Sequence, residues 1–389
     1  MKKVYFDHNA TTPVRSEVFE AIKPVLTEYW GNPSSPNWAG SEAVDYLDEA
    51  RGRVAQFIGA DDSEVVFTAC GSESDNLAIK GIVEKYAHKG GHIITTSVEH
   101  PAVWETCKYL EKKEYPVTYL GVDSEGMVDL DEYRDAFRDD TVLVTVMMAN
   151  NENGTVFPIK DMAAYANERG VFFHTDAVQA VGKIPVDVKK LGVDMLSLSG
   201  HKIYAPKGVG ALYVRNGINL EKLIHGGGQE GGRRAGTENV AGAVALGKAC
   251  ELAGKELPET GPRILELRKR LEEGIVENIE NVTVTSHPSS RLPNTSNVIF
   301  NCVEGESILL SLDMEGVAVS SGSACASGAK GPSRALLSMG ITLEDAQSAI
   351  RFSLGKDNTA DEVDFILDIL PPIVHRLRSM SPLNRATKV

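Results

Sequence analysis

Four polar positions between residues 71 and 202 directly follow short apolar runs that read as buried strands. They are the turn at Gly71 and Ser72, the imidazole of His100, the carboxylate of Asp176 and the amine of Lys202. In a parallel α/β sheet the carboxyl ends of the strands meet at one edge, and ligands collect beyond that edge. The sequence therefore predicts that these residues share one site.

Each of these positions also has an ordinary explanation when it is taken alone. Ser72 with Asp75 forms a capping-box pattern that opens a helix, Asp176 could be a helix N-cap, and His100 and Lys202 could be surface residues in turns. In combination they supply the three parts of a pyridoxal phosphate site. A lysine forms the covalent link, a carboxylate keeps the pyridine nitrogen protonated, and N–H and hydroxyl donors at a helix start hold the phosphate.

Alternating strands and helices must position this site. Apolar runs rich in β-branched residues predict six strands, at 64–68, 92–96, 117–120, 141–147, 171–174 and 195–198. Between most of them lie amphipathic stretches, such as 76–88 and 159–169, which carry apolar residues at helical spacing. This alternation predicts a mostly parallel sheet with helices on both faces.

A cluster of helix-breaking residues at 257–262 is the candidate domain boundary. A helical pattern that begins after Asn239 ends before it, near Glu256. A smaller α+β domain is predicted after it, from a charged helix at 264–275, strands near 282–285 and 295–300, a helix near 306–314, a Ser/Gly-rich loop and a final helix. We expect a large domain over residues 16–260, and a small domain formed by residues 1–15 and 261–389 that carries a loop at about 320–333.

The composition argues against several classes of protein. The chain has 389 residues, and 40 Lys+Arg against 54 Asp+Glu give a net charge of −14, which argues against a nucleic-acid surface. No apolar run reaches the ~18 residues that span a bilayer, and no signal-peptide core precedes Asp7 and His8. Five cysteines without a C-x-x-C pair argue against disulfides and a zinc site. We expect a cytoplasmic protein without a metal site.

One cysteine differs from the other four in its surroundings. Cys325 lies in the run SSGSACASG at 320–328, whose small residues can hardly pack a core or form regular structure. Such a segment suits a loop that carries a reactive thiol. Cys107, Cys250 and Cys302 stand in apolar or helical settings typical of buried cysteines. Cys70 is interpreted as a tolerated small residue in the phosphate turn.

Nearly the whole chain resembles the cysteine desulfurases of the NifS/IscS type, which are dimeric fold-type I pyridoxal-phosphate enzymes of the class-V aminotransferase family. The matching segments, in the same order, are YFDHNATTP at 5–13, GNPSS at 31–35, SESDNLA at 72–78, EH at 99–100, NNE at 150–152, TDAVQ at 175–179, SGHK at 199–202, residues 226–239, SSGSAC at 320–325 and IRFS at 350–353. The resemblance implies a large α/β domain with a mostly parallel seven-stranded sheet and a smaller α+β domain.

The resemblance also implies a role for each site residue. Lys202 would hold pyridoxal 5'-phosphate, and His100 would stack on its ring and assist proton transfer. Asp176 would bind the pyridine nitrogen and Gln179 the phenolic oxygen. The phosphate would be held by Gly71, Ser72, Ser199 and His201, together with Thr237 reaching in from the other subunit. The substrate carboxylate would be held by Asn151 and Arg351, the latter through the two-pronged geometry of a guanidinium.

On this resemblance we expect a homodimer that removes sulfur from L-cysteine, giving L-alanine and a persulfide on Cys325. The sulfur would pass to iron-sulfur cluster assembly through a scaffold protein of the NifU/IscU type, and a transient cluster on Cys325 is compatible with this role. One alternative is a related lyase acting on selenocysteine or cysteine sulfinate, or a kynureninase-like enzyme, although these reactions need no acceptor thiol. The other is a non-catalytic assembly subunit, against which the presence of Lys202, Asp176, His100 and Cys325 together argues.

Overall fold

Short β-branched runs form the strands of the protein. The computed structural model describes residues 3–87, 90–321 and 332–381. The strands within these ranges are β1 (Val4–Tyr5), β2 (Val65–Thr68), β3 (His92–Thr96), β4 (Val117–Leu120), β5 (Thr141–Thr145), β6 (Phe172–Asp176), β7 (Met195–Ser199), β8 (Gly210–Val214), β9 (Val282–Val284), β10 (Thr295–Phe300), β11 (Val317–Ala318), β12 (Ser320–Ser321) and β13 (Ala349–Ser353).

Helices connect most of these strands. They are α1 (Ser16–Thr27), α2 (Trp38–Ile58), α3 (Gly71–Tyr86), α4 (Pro101–Glu111), α5 (Leu130–Asp135), α6 (Ile159–Asn167), α7 (Val188–Leu191), α8 (Val240–Asn278), α9 (Gly305–Met314), α10 (Arg334–Ser338), α11 (Leu343–Gln347) and α12 (Ala360–Met380). Among the described residues, no helix combines the length and the apolar character needed to cross a membrane.

Seven strands form the central sheet, in the order β2-β8-β7-β6-β5-β3-β4. Neighbouring strands pair in parallel from β7 to β4, whereas β8 pairs antiparallel with both β2 and β7. All six strands predicted from the sequence are present, and the predicted mostly parallel α/β architecture is confirmed. The six predicted strands do not include β8, which returns directly after β7 without the connecting helix that marks a parallel unit.

Both faces of the central sheet are buried, and successive residues of a strand face opposite ways. On one face, Ile93 and Leu143 pack with apolar residues of α3 and α4. On the other face, Ile94 and Val144 pack with residues of α2, α6 and α8. The continuous apolar runs predicted as strands therefore supply two cores, one on each side of the sheet.

A further core lies around the four-stranded antiparallel sheet β12-β13-β10-β9. It contains Phe352 of β13, the second half of α8, and α12. The N-terminal residues Val4 and Phe6 belong to this core as well, because β1 pairs in parallel with β11. On the basis of these separate cores we propose the division into a large domain, 16–260, and a small domain, 1–15 with 261–389.

The predicted helix break at 257–262 is wrong. Helix α8 runs uninterrupted for 39 residues and includes both Pro258 and Pro262. A proline has no N–H for the carbonyl four residues earlier, which normally breaks a helix. Here both prolines and Gly254, the residue four before Pro258, are exposed, so the carbonyls concerned can bond to water. The proposed domain boundary therefore falls inside a continuous helix.

The close packing of α8 on α2 generates a stability prediction. A Cβ on Gly247 would lie 2.8 Å from the carbonyl oxygen and 2.9 Å from the Cα of Ala50, both backbone atoms. We expect Gly247→Ala to lower the free energy of unfolding by about 1–3 kcal/mol, because the helices must separate to admit the methyl group.

The matched control is Gly52→Ala in α2, where the nearest atom to an added Cβ is a side-chain oxygen of Asp62 at 3.5 Å. This change should raise stability by about 0.5–1 kcal/mol, since alanine is the better helix former. Urea unfolding measures both variants. An equally stable Gly247→Ala protein would contradict the packing described here.

Candidate active site

A cleft with an empty volume of about 1100 Å³, including its open mouth, lies at the carboxyl edge of the central sheet. Residues at the ends of four strands line it: Gly71 follows β2, His100 follows β3, Asp176 ends β6 and Lys202 follows β7. Of the residues predicted for the site, those that line the cleft are Gly71, Ser72, His100, Asn151, Asp176, Gln179, Ser199, His201 and Lys202. The fold therefore brings together residues spread over more than a hundred positions of sequence.

One end of the cleft is suited to an anion. Helix α3 begins at Gly71, and its N-cap residue Cys70 makes no side-chain capping bond. A Cβ on Gly71 would lie 2.7 Å from Val178 Cγ2, so glycine allows this close approach. The Oγ of Ser199 is buried and has no hydrogen-bond partner within the described ranges. An uncapped helix start beside an unpaired hydroxyl offers donors to a phosphate.

The predicted capping box of Ser72 and Asp75 does not form. The helix begins one residue before Ser72, so Ser72 is inside the first turn. The carboxylate of Glu73 accepts the backbone N–H of Ala69 at 2.9 Å, while Asp75 is buried within the protein, 1% exposed. The spacing of the pattern is correct, but tertiary burial gives Asp75 another position.

The other end of the cleft contains two buried carboxyl groups and an imidazole. Ligand atoms of Asp75, His100 and Asp176 all lie within 4.8 Å of one another. Burial raises the pKa of Asp176 to about 6, although the Val178 N–H, donated at 2.9 Å, and Lys202 oppose the shift. Burial, and next the neighbouring Asp176 carboxylate, raise the pKa of Asp75 well above its ordinary value. The upward shift is larger for Asp75, so Asp176 is the more readily ionised of the two carboxyl groups.

His174 lies behind this carboxyl pair and does not neutralise it. Its ring nitrogens pair with the hydroxyls of Thr145 at 2.8 Å and Ser197 at 2.9 Å. Burial lowers the pKa of His174 to about 3, so the ring is neutral. A cation that enters the cleft is then the natural counter-charge for Asp176.

The protonation state of His100 follows from its position as the N-cap of α4. Its Nδ1 accepts the backbone N–H of Ala102 at 3.1 Å, so the neutral ring carries its proton on Nε2. Burial first, then repulsion from Lys202 and Arg334, lower the pKa of His100 to about 4. His100 is therefore a neutral ring with one N–H at neutral pH.

The N-terminal segment supplies a site residue, Asn9, for which no role was predicted from the sequence. Lys202 lies in a short 3-10 turn after β7, and its Nζ donates to the backbone carbonyls of Asn9 at 2.5 Å and Ala10 at 2.8 Å. Gln179 Nε2 donates to the same Asn9 carbonyl at 2.9 Å. Asn9 belongs to the segment YFDHNATTP that matches the family, which is the one signal that could have identified it.

Arg351 is buried beside the cleft without lining it. Its guanidinium donates to the carboxylate of Asp7 at 2.7 Å and to the carbonyl of Asn151 at 3.0 Å. Asp7 and Asn151 both line the cleft. Arg351 and Asn151 are thus in contact, and Asp7 is a neighbour that the sequence did not predict.

The remaining predicted residues lie elsewhere. Thr237 is exposed and lies outside the cleft of its own chain. Cys325 lies outside the described residues, although Ser320, where its loop segment begins, lines the cleft. Cys107 and Cys250 are buried as predicted, whereas Cys302 is half-buried.

Glu99 anchors the turn that carries His100. Its Oε1 accepts the hydroxyl of Thr96 at 2.7 Å and the N–H of Met147 at 2.9 Å. Its side chain is buried, and burial raises its pKa to about 8. Between the ordinary carboxyl pKa and this value, the folded protein holds a proton that the unfolded chain has lost. The stability of the wild-type protein therefore falls as the pH rises through that window.

We expect Glu99→Gln to remove this pH dependence, because the amide keeps an accepting oxygen and has no proton to lose. The stability of the variant relative to wild type should grow by up to about 1.4 kcal/mol per pH unit between about pH 6 and pH 8. Urea unfolding of the apoprotein at several pH values measures it. Glu105→Gln, at an exposed position of α4, is the matched control and should show no trend. A relative stability of Glu99→Gln that is constant with pH would count against a protonated Glu99.

The chain is similar to known proteins along its full length. The model of the family "Aminotransferase class-V" matches residues 4–366. "Cysteine desulfurase IscS" of Methanosarcina thermophila is 51% identical over 382 residues, which are 98% of this chain and 94% of that protein. A solved structure titled "NIFS-LIKE PROTEIN" superposes with a TM-score of 0.91 at 40% identity, covering 97% of this chain and 100% of the other.

A further solved structure, "SspA in complex with cysteine", superposes with a TM-score of 0.81 at 38% identity and covers 92% of this chain and 100% of that one. The family resemblance seen in the sequence is thus confirmed by both kinds of comparison. The chain belongs to the class-V aminotransferase family and, within it, to the cysteine desulfurases of the NifS/IscS type.

Proposed function

We propose that this protein binds pyridoxal 5'-phosphate in the cleft and removes the sulfur of L-cysteine, giving L-alanine and a persulfide on Cys325. The observation that carries the proposal is that one cleft contains the Lys202 amine, the Asp176 carboxylate and the uncapped start of α3. A relative in the same family has been solved in complex with cysteine, which supports the choice of substrate.

The residues present fit the cofactor at both of its polar ends. The start of α3 at Gly71 and the unpaired Oγ of Ser199 would hold the phosphate, with Ser72, His201 and, from a second subunit, Thr237. At the other end the buried, charged Asp176 would pair with the protonated ring nitrogen. When bound, the cofactor supplies an electron sink for the electrons released at the Cα of the amino acid.

Several side chains would orient and tune that group. Asp176 would keep the ring nitrogen protonated, and Asp75, whose pKa burial raises well above its ordinary value, lies beside it. His100, a neutral ring with its proton on Nε2, would stack on the cofactor and assist proton transfer. Gln179 would donate an N–H to the phenolic oxygen. Each of these roles uses the protonation state or the hydrogen-bond direction described for that residue.

Lys202 would hold the cofactor covalently until the substrate amine replaces it, and its Nζ would then take the proton from the substrate Cα. The carbonyls of Asn9 and Ala10 keep this amine in place, because they accept its N–H groups. An amine that is held in this way can return to the same position after each proton transfer.

Arg351 and Asn151 would hold the substrate carboxylate. The guanidinium is already oriented by Asp7 and by the Asn151 carbonyl. A substrate carboxylate that reaches Arg351 would compete with Asp7 for its N–H groups, so the ion pair keeps the guanidinium in position between turnovers.

The sulfur would leave through the thiol of Cys325. The thiolate attacks the sulfur of the bound cysteine, a sulfur–sulfur bond forms, and the carbon–sulfur bond breaks with its electron pair remaining on carbon. Protonation at that carbon, and return of the Cα proton from Lys202, complete L-alanine. The outer sulfur of the persulfide would pass to a scaffold protein of the NifU/IscU type for iron-sulfur cluster assembly. We also propose that the protein is a homodimer. We propose a cytoplasmic location, where the free thiols of Cys70, Cys107, Cys250 and Cys302 would persist.

We expect Cys325→Ala to keep the visible absorbance of the bound cofactor and to lose sulfide production from L-cysteine by at least about a thousandfold, as for removal of a nucleophile. Cys302→Ala is the matched control, since Cys302 does not line the cleft, and should keep both. Alanine and sulfide are assayed together in the presence of a reductant. Normal turnover by Cys325→Ala would overturn the persulfide step.

We expect Lys202→Ala to lose the absorbance band of the covalently held cofactor and to lose alanine formation as well. The reason is that both the link and the acceptor of the Cα proton disappear. Absorbance spectra before and after borohydride reduction, followed by mass spectrometry of the reduced protein, measure the link. Reductive labelling of the variant at another lysine with retained activity would count against Lys202.

A further inference from the structure

A second lysine, Lys183, lies directly behind the cleft, and the mechanism proposed above does not use it. Its Nζ donates to Oδ1 of Asn9 at 2.9 Å and, through a very short contact, to Oε1 of Gln179. Lys183 also lines a second cavity, of about 650 Å³, on the far side of Lys202. Lys183 therefore connects Gln179, whose amide is proposed to face the cofactor, with Asn9 of the N-terminal segment.

The orientation of both amides follows from partners that can act in one direction only. Gln179 Nε2 lies 2.9 Å from the carbonyl oxygen of Asn9, and Asn9 Nδ2 lies 3.2 Å from that of Asn151. Carbonyl oxygens only accept, so each NH₂ group must be on that side. The two amide oxygens are consequently the atoms that meet Lys183.

Loss of Lys183 would affect Gln179 more than Asn9, because Asn9 Oδ1 also accepts a hydrogen bond from Asn294 at 3.1 Å. Among the described residues, Lys183 is the donor recorded for Gln179 Oε1, and Gln179 is only 5% exposed. Without this donor, Oε1 would be a buried acceptor with an unmet hydrogen bond. Rotation of the amide would turn this oxygen toward the cleft, but it would also replace the hydrogen bond to the Asn9 carbonyl by a contact between two acceptors, so Asn9 and Lys183 hold the amide together.

The charge of Lys183 is compatible with such a position. Burial first, then repulsion from Lys202 and Arg351, lower the pKa of Lys183 well below its ordinary value. A neutral amine retains two N–H groups, which equals the number of amide oxygens that it meets. The contacts therefore need no unpaired charge inside the protein.

We propose that Lys183 is a positioning residue that holds the Gln179 amide with its oxygen inward and its NH₂ group available to the phenolic oxygen of the cofactor. The inference rests on the proposed function, because it assigns Gln179 to that oxygen. If Lys183 were absent, the amide would lose one of the two hydrogen bonds that hold it in this orientation, and binding of the cofactor would weaken.

The test is a double-mutant cycle on the binding of pyridoxal phosphate by the full-length apoprotein, measured by equilibrium dialysis. We expect Gln179→Ala to raise the dissociation constant about tenfold and Lys183→Met to raise it about fivefold, as for loss of one hydrogen bond. Because Lys183 acts through Gln179, the double variant should bind about as well as Gln179→Ala alone.

The matched control is Lys356→Met, since Lys356 lines the same second cavity but pairs with Asp357 instead of Gln179. It should leave the dissociation constant within about twofold of wild type. Thermal unfolding of each apoprotein verifies that it is folded. If Lys183→Met does not fold, Lys183→Gln replaces it, because its amide ends one bond short of the Lys183 nitrogen.

The outcomes separate this inference from the proposed function. If Gln179→Ala itself leaves binding unchanged, the assignment of Gln179 to the cofactor fails. If Gln179→Ala weakens binding while Lys183→Met does not, or if the two effects multiply in the double variant, the role of Lys183 is overturned. The role of Lys183 is supported if both single variants bind the cofactor more weakly, the double variant binds it about as well as Gln179→Ala alone, and Lys356→Met binds it as wild type does.

Discussion

The site depends on one backbone carbonyl, that of Asn9, which accepts both the Lys202 amine and the Gln179 amide. Asn9 itself is held from the opposite side, because its N–H donates to Ser353 Oγ at 2.9 Å and its side chain donates to Thr295 Oγ1 at 2.9 Å. The N-terminal segment thus connects Lys202 and Gln179, beside the central sheet, with β10 and β13 of the four-stranded sheet. The position of the amine relative to the sheet is set by this junction as much as by the strand that carries it.

The ionisation of the cleft is a consequence of the same burial. Asp75 in α3, Asp176 at the end of β6 and Glu99 after β3 are all removed from water, and burial is the first cause of the rise in pKa of each. Burial lowers the pKa values of His100 and His174, so both rings are neutral. A carboxylate therefore remains charged at one end of the cleft, while the start of α3 and the Ser199 hydroxyl offer hydrogen-bond donors at the other. That distribution matches a ligand that is cationic at one end and anionic at the other.

The strand-end residues could be predicted from the sequence because the edge of a parallel sheet is a local consequence of strand order. Asp176 and Lys202 could be placed at the site because each comes at the end of an apolar run. Asn9 could not be found in this way, since the two lysines that contact it, Lys202 and Lys183, are 193 and 174 positions away in the chain. The prediction that α8 ends before Pro258 was wrong for a related reason. Whether a proline breaks a helix depends on whether water reaches the carbonyl that it leaves behind, and exposure is a property of the folded protein.

The pairing of β12 with β13 relates the two halves of the proposed reaction. Arg351, which would hold the substrate carboxylate, is directly opposite Ser320, where the small-residue segment containing Cys325 begins. The other side of β13 pairs with β10, and Asp7 bridges to Ser353 at its end. A shift of this sheet would therefore move the carboxylate-binding group and the base of the thiol-bearing segment together. Their spacing is set by a hydrogen-bonded register rather than by the loop, so a substrate anchored at Arg351 stays in a fixed relation to the base from which the thiol must reach it.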